Sequence, residues 1–253
     1  MNAIIARLRA AGCVFAEEEA AVLTAAAASE AELERLVARR VAGEPLEYVV
    51  GWAEFAGRRF AVEPGVFVPR HRTELLVTLA AGFARPGDVV LDLCCGSGAL
   101  GATVAELVPG VELYAADVDP VAVRCARRNL RGEVYEGDLF DPLPARLRGR
   151  VAVLIANVPY VPTREIALMP GEARDHEPRA ALDGGDDGLT VLRRVAAQAP
   201  SWLAPGGHVL FEIAEGQTEA AVAALTGLDG WTEESEDLGA TVLVGRRTLP
   251  ANA

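Results

Sequence analysis

The chain has 253 residues, of which 51% are hydrophobic, and a formal net charge of −12. That length and apolar content supply one large core and a small extra domain. So negative a balance opposes a phosphate-neutralising face and favours a protein or small-molecule substrate over direct nucleic-acid binding.

Residues 1 to about 43 read as helical. Ile4, Ile5 and Leu8 share a face. Residues 17–28 are rich in Ala and Glu. Ser29 opens a third segment, with Glu32 near the capping position and Leu33, Leu36 and Val37 at helical spacing, and Gly43 stops it. No apolar run reaches the roughly 18 residues of a membrane helix. Arg7 and Arg9 also interrupt the short apolar start, which lacks a signal-peptide layout, so a cytoplasmic protein is expected. We take 1–45 as an N-terminal helical domain. The period then changes. Tyr48-Val49-Val50, Glu54-Phe55 and Arg59 to Val62 are rich in strand formers, with Gly51 and Gly57 as turn points, which predicts a β-hairpin linker over 46–70.

A helix is expected over 72–82, at the start of a third region, 71–253. From Asp88 the pattern alternates. Strands are predicted at 89–93, 111–116, 133–135, 151–156 and 208–213. Helices are predicted at 98–108, 120–130, 189–203 and 217–225, with a closing antiparallel pair at 231–234 and 241–244. This is a doubly wound, Rossmann-like α/β sheet, whose ligands bind at the carboxyl ends of the strands.

Gly96-Ser97-Gly98-Ala99-Leu100-Gly101 matches Gly-x-Gly-x-x-Gly between a strand and a helix, and Asp117 ends the next strand, where a carboxylate can hold ribose hydroxyls. An adenosine-containing cofactor is expected. Asp92, four residues before Gly96, would repel a pyrophosphate but suits the ammonium of a methionine tail. Asp138 ends the third strand and can accept from an adenine amine, with Leu139 or Phe140 packed on the ring. These carboxylates favour S-adenosylmethionine over a dinucleotide. Cys94, Ser97 and Val118 beside them, with Asn157 further on, complete the expected cofactor contacts. The chain has no lysine, which excludes a phosphate-loop or Schiff-base lysine. Its four cysteines lack a metal-ligand spacing and its three histidines are scattered, so no metal site is expected.

After the strand at 151–156 comes Asn157-Val158-Pro159-Tyr160. It joins an amide side chain, carbonyls stiffened by a proline and an aromatic ring, parts suited to holding a flat nitrogen group. With Pro45-Leu46-Glu47-Tyr48-Val49-Val50-Gly51, Val68-Pro69-Arg70, Thr73-Glu74-Leu75, Glu177-Pro178-Arg179 and Phe211-Glu212-Ile213, the sequence resembles the protein-glutamine N-methyltransferases of the HemK family, which modify the Gly-Gly-Gln loop of peptide-chain release factors. The resemblance runs from about Arg40 to Arg247. It implies a class I methyltransferase sheet of seven strands with a reversed last strand, S-adenosylmethionine as cofactor with S-adenosylhomocysteine as product, and a protein substrate presenting a glutamine, a release factor or another translation-related protein. Two stretches depart from the family pattern. Asn-Pro-Pro-Tyr has become Asn157-Val158-Pro159-Tyr160, and Pro-Arg-Pro-Glu-Thr-Glu has become Pro69-Arg70-His71-Arg72-Thr73-Glu74.

An amide nitrogen is a poor nucleophile because its lone pair is delocalised. The expected remedy is positional: the Asn157 side-chain oxygen accepts one N–H, the Val158 carbonyl accepts the other, and Tyr160 packs against the plane. Val158 keeps the carbonyl that the family's proline offers, and Pro159 holds it extended. The same chemistry serves methylation of the exocyclic amine of adenine, which is the competing activity. A cofactor-binding relative without catalysis is the competing class. The long connection at 161–188 is expected to cover the substrate, with Glu177 or Arg179 structuring it.

Overall fold

The structure, a computed structural model, describes residues 1–248. Three helices open the chain, α1 (Asn2–Ala10), α2 (Ala16–Ala26) and α3 (Glu30–Val41). They share a small core in which Leu8, Leu23, Val37 and Val49 are buried. Ser29 caps α3 by accepting from the Glu32 backbone at 3.2 Å, and the Glu32 carboxylate reaches back to the Ala28 N–H at 2.8 Å, one residue before the usual capping box.

The expected strand character of Tyr48 to Val50 is overturned: residues Leu46–Val50 form a short helix, α4. Pro45 precedes it and Gly51, at φ +83°, ends it in the left-handed conformation. Burial outweighs the β-propensity of Tyr-Val-Val, since Val49 joins the helical core and the Tyr48 hydroxyl donates to the Val66 carbonyl at 2.7 Å. The hairpin itself is present as β1 (Trp52–Phe55) and β2 (Arg58–Ala61). A 3₁₀ turn at His71–Thr73 leads into α5 (Glu74–Phe83).

The alternating region follows as β3 (Val89–Leu93), α6 (Ala99–Leu107), β4 (Glu112–Asp117), α7 (Pro120–Asn129), β5 (Glu133–Glu136), β6 (Val151–Ala156), α8 (Gly171–His176), α9 (Thr190–Trp202), β7 (Leu203–Ile213), α10 (Thr218–Ala224), β8 (Asp229–Ser235) and β9 (Ala240–Arg246). The seven strands are ordered β5-β4-β3-β6-β7-β9-β8. All neighbours from β5 to β7 are parallel, while β9 runs antiparallel to both β7 and β8. Strand β7 begins at Leu203 rather than His208, because Leu203 already pairs with Val151 and an irregularity there absorbs the residues between.

The sheet is buried on both faces, which is why its central strands read as continuous apolar runs. Leu91, Leu154, Val195, Trp202 and Phe211 belong to one core; Leu76, Val90, Leu100, Val153 and Leu210 belong to the other. The carboxyl ends of β3, β4 and β6 therefore open on the same edge. The connection after β6 is not a bare loop. It holds a 3₁₀ turn at Thr163–Leu168, α8 and another 3₁₀ turn at Arg179–Ala181.

Candidate active site

A cleft of about 1070 Å³ of empty space, its solvent-open part included, lies across those strand ends. At one end the chain leaves β3 through Cys94 (φ +56°), Gly96 (φ +54°) and Gly98 (φ +77°) before entering α6. A Cβ on Gly98 would stand 2.7 Å from Leu130 Cδ2. One on Gly101 would stand 3.0 Å from Asp92 Oδ2 and from Leu113 Cδ1. Those two glycines are needed for close packing of the helix, whereas Gly96 faces the cleft. Asp117 ties the loop to β4: its Oδ2 accepts from the Gly96 N–H and its Oδ1 from the Asp119 N–H, both at 2.9 Å. Burial raises its carboxyl above the ordinary range. Val118, 62% exposed, offers an apolar face beside it.

Of the residues expected to hold the cofactor, Cys94, Gly96, Ser97, Asp117, Val118 and Asn157 line this cleft. Asp92, Gly98, Asp138 and Leu139 stand off it. Asp92 shares the β3 face of Val90, under α6, and is 1% exposed, with Oδ2 accepting from the Gly101 N–H at 2.9 Å. Burial pushes its carboxyl up to about 7, and the charge of Asp117 adds to this. Asp138 is turned to an ion pair with Arg194 at 2.6 Å. Leu139, at φ +49°, joins the main core, and Phe140 stacks on Trp202 at 5.2 Å.

The other end of the cleft is walled by Asn157, Val158, Pro159 and Tyr160. Asn157 is half-buried and its side chain makes no hydrogen bond among the described residues. Val158 is fully buried and also packs into the main core, which fills the place of the expected proline with another apolar group. Burial and the charge of Glu212 raise the Tyr160 hydroxyl well above its ordinary value. It therefore stays protonated and donates to Glu212 Oε1 at 2.6 Å.

Contacts from distant parts of the chain fix this end. Gln217, at the N-cap of α10, donates through Nε2 to the carbonyls of Tyr160 (2.8 Å) and Asp187 (3.0 Å) and accepts from the Ala214 N–H at 3.0 Å. Gly188 makes room for that clamp. Arg72 donates to Glu212 at 3.0 Å and to the Tyr160 hydroxyl. Arg70 donates to Glu177 at 2.6 Å, and Glu177 also accepts from the Val68 N–H at 3.2 Å. Met169, Pro178, Ala180, Ala181 and Leu182, from the connection after β6, complete the wall. Arg40 of the helical lobe, itself paired with buried Glu19 at 2.6 Å, reaches Glu172 in α8 at 2.6 Å and holds that connection down.

Gln217 has no local sequence signal; it reads only as the start of a helix. Gly188 lies within the stretch that carries the resemblance, Arg40 to Arg247, but its need for a missing Cβ appears only with Tyr160 and Gln217 in place. His71, the neighbour of Arg72, is not on the wall: it is exposed and bonds Glu74 at 2.9 Å.

The methyltransferase small domain model matches residues 58–171. A release factor glutamine methyltransferase of Geobacter sulfurreducens is 40% identical over 192 residues, 74% of this chain and 66% of the relative. Another, of Streptomyces coelicolor, is 38% identical over 208 residues, 79% of this chain and 74% of its own. A 4-amino-L-phenylalanine/4-methylamino-L-phenylalanine methyltransferase of Streptomyces pristinaespiralis is 35% identical over 209 residues, 79% of this chain and 71% of the relative. A methyltransferase structure from Pyrococcus furiosus shares the fold, with a TM-score of 0.58 at 18% identity over 77% of this chain and 91% of that one. A glycine loop after the first parallel strand, an Asn-x-Pro-Tyr wall after the fourth and relatives of this extent agree, and the chain belongs to the release factor glutamine methyltransferase family.

Proposed function

We propose that the chain moves a methyl group from S-adenosylmethionine to the side-chain amide nitrogen of a glutamine in a protein substrate. The observation that carries this reading is that the glycine loop and Asn157 to Tyr160 wall one cleft. The residues present fit the cofactor. Asp117 is a half-buried acceptor on the cleft wall, suited to ribose hydroxyls; Val118 is an exposed apolar face; Gly96 and Ser97 bring backbone close to the ligand. Asp92 acts from behind the wall by holding Gly101 and so the first turn of α6. Bound there, S-adenosylmethionine supplies an electrophilic methyl carbon.

Asn157 and the Val158 carbonyl accept the two N–H groups of the incoming amide, which fixes its plane and pushes electron density toward nitrogen. Gln217 and Glu212 keep Tyr160 in place at the side of that plane. Orientation of this kind is worth roughly 7–11 kcal/mol of barrier, so no general base is needed before transfer. The amide nitrogen, held in that plane by Asn157 and Val158, would take the methyl group with the thioether as leaving group, and would then release its extra proton to solvent.

A release factor is the first protein substrate to try, since the relatives named above are named for it. The relative named for 4-amino-L-phenylalanine supports a second reading, in which a conjugated amine on a free amino acid takes the place of the amide. Labelled methyl transfer to a release factor, to Gly-Gly-Gln peptides and to aromatic amino acids separates the two. In Asn157→Ala, transfer is expected to fall at least about 100-fold, with cofactor affinity retained. Loss of cofactor binding without a specific loss of transfer overturns the role given to Asn157.

A further inference from the structure

The charged side chains on the cleft wall are segregated. Asp117 and Asp119 stand beside the glycine loop, while Arg70 and Arg72 stand with Tyr160 at the acceptor end. In a chain of net charge −12, an acceptor end whose charged wall residues are both cations departs from the average surface. The partners of these cations are hidden behind them. The Glu177 and Glu212 side chains are 1% and 3% exposed, against 34% for Arg70 and 48% for Arg72. A ligand entering at the acceptor end meets guanidinium, not carboxylate.

Arg72 is the more available of the two. Its Nε is held by Glu212 Oε1 and its Nη2 by the Tyr160 hydroxyl; among the described residues its Nη1 makes no hydrogen bond. A guanidinium carries five N–H donors in a rigid fork, so donors remain after both contacts. They are anchored on a buried carboxylate and on the ring that flanks the amide clamp, so they are fixed beside the reacting nitrogen.

We propose that Arg72 is a specificity-determining residue that binds a carboxylate on the acceptor, carried close to the nitrogen that is methylated. The inference rests on the amide-methylation reading and adds a charge requirement to it. Two sources supply that chemistry: an acidic side chain flanking the glutamine of a protein segment, or the α-carboxylate of a free amino acid.

The test compares the full-length protein with Arg72→Gln and Arg72→Lys. The acceptors are Gly-Gly-Gln peptides flanked by Glu, by neutral residues or by Lys, and free amino acids against their α-amides. The native protein is expected to prefer the carboxylate-bearing member of a pair by about tenfold in kcat/KM, which corresponds to roughly 1.4 kcal/mol, mostly through KM. The preference falls to below about twofold in Arg72→Gln and is partly kept in Arg72→Lys, which also guards against a folding defect in the neutral variant. The peptide and amino-acid arms identify the source. Equal losses on all acceptors overturn the proposal and leave Arg72 as a positioning residue for Tyr160. If the native protein methylates no acceptor, the amide reading fails separately. Binding of N-acetylglutamate to protein loaded with S-adenosylhomocysteine then decides: binding that Arg72→Gln abolishes supports the proposal, and binding absent or unchanged overturns it.

Discussion

The two ends of the cleft are made in different ways. The glycine-loop end is built from neighbours: β3, its loop, α6 and β4 supply Gly96, Ser97 and Asp117, and backbone N–H groups satisfy the carboxylates. The acceptor end is built from strangers. Tyr160 is fixed by Gln217, Glu212 and Arg72, and the connection above it is fixed by Arg40 and Arg70. Local backbone geometry makes the first end resistant to side-chain change elsewhere. Long-range side-chain contacts make the second end adjustable, and it is there that this chain departs from its family pattern at Arg72 and Val158.

The sharpest way to break this contrast is Gly188→Ala. The new Cβ would stand 2.2 Å from the Tyr160 carbonyl oxygen and 2.3 Å from Gln217 Nε2, at a backbone φ of +78°. The conformation alone costs roughly 1–3 kcal/mol, and displacement of the wall should lower methyl transfer on the order of 100-fold. Cofactor affinity, followed by calorimetry, should stay nearly constant. Equal losses in both would mean that the two ends are not separable.

The next effect belongs to the glycine-loop end. Burial favours the neutral form of Asp92, with a folded pKa of about 7. Its contribution to stability is complete below the ordinary carboxylate range and is lost as pH rises through about 7. The native protein should therefore lose stability relative to Asp92→Asn between pH 5 and pH 8, by about 2–3 kcal/mol. The asparagine oxygen can still accept from Gly101. Denaturant unfolding at both pH values checks this, and parallel curves for the two proteins would refute it. The smallest effect is His71→Ala. His71 is exposed and its contact with Glu74 is a surface one, so stability should change by less than about 0.5 kcal/mol and transfer should hardly change. A large loss of transfer would extend the acceptor end beyond the wall described.

How much was legible in the sequence follows the same division. The parallel strands were readable because burial on both faces leaves an unbroken apolar run, as in Val151 to Ala156. The glycine loop was readable because its chemistry is local. Tyr48 to Val50 misled because β-branched and aromatic residues signal strand only when no tertiary partner takes them, and here Val49 packs with the helical lobe. Asp138 and Leu139 read as ligand contacts from their position at a strand end; in the structure Asp138 pairs with Arg194 and Leu139 packs in the core. Gln217 was invisible, since nothing near it in sequence tells that its amide reaches the carbonyl of Tyr160.

The hydrogen bond from Gln217 to Tyr160 also sets an order in time. Chains are made from the N-terminus at about 5–20 residues per second. The side chains that hold the glycine loop, Asp117, Asn129 and Leu130 among them, are synthesised by Leu130, whereas the clamp on Tyr160 must await Gln217. The acceptor end is thus completed on the ribosome later than the glycine loop, however early its Arg40 is made. Methyl transfer reports that synthesis has passed Gln217, which the side chains of the donor loop alone do not.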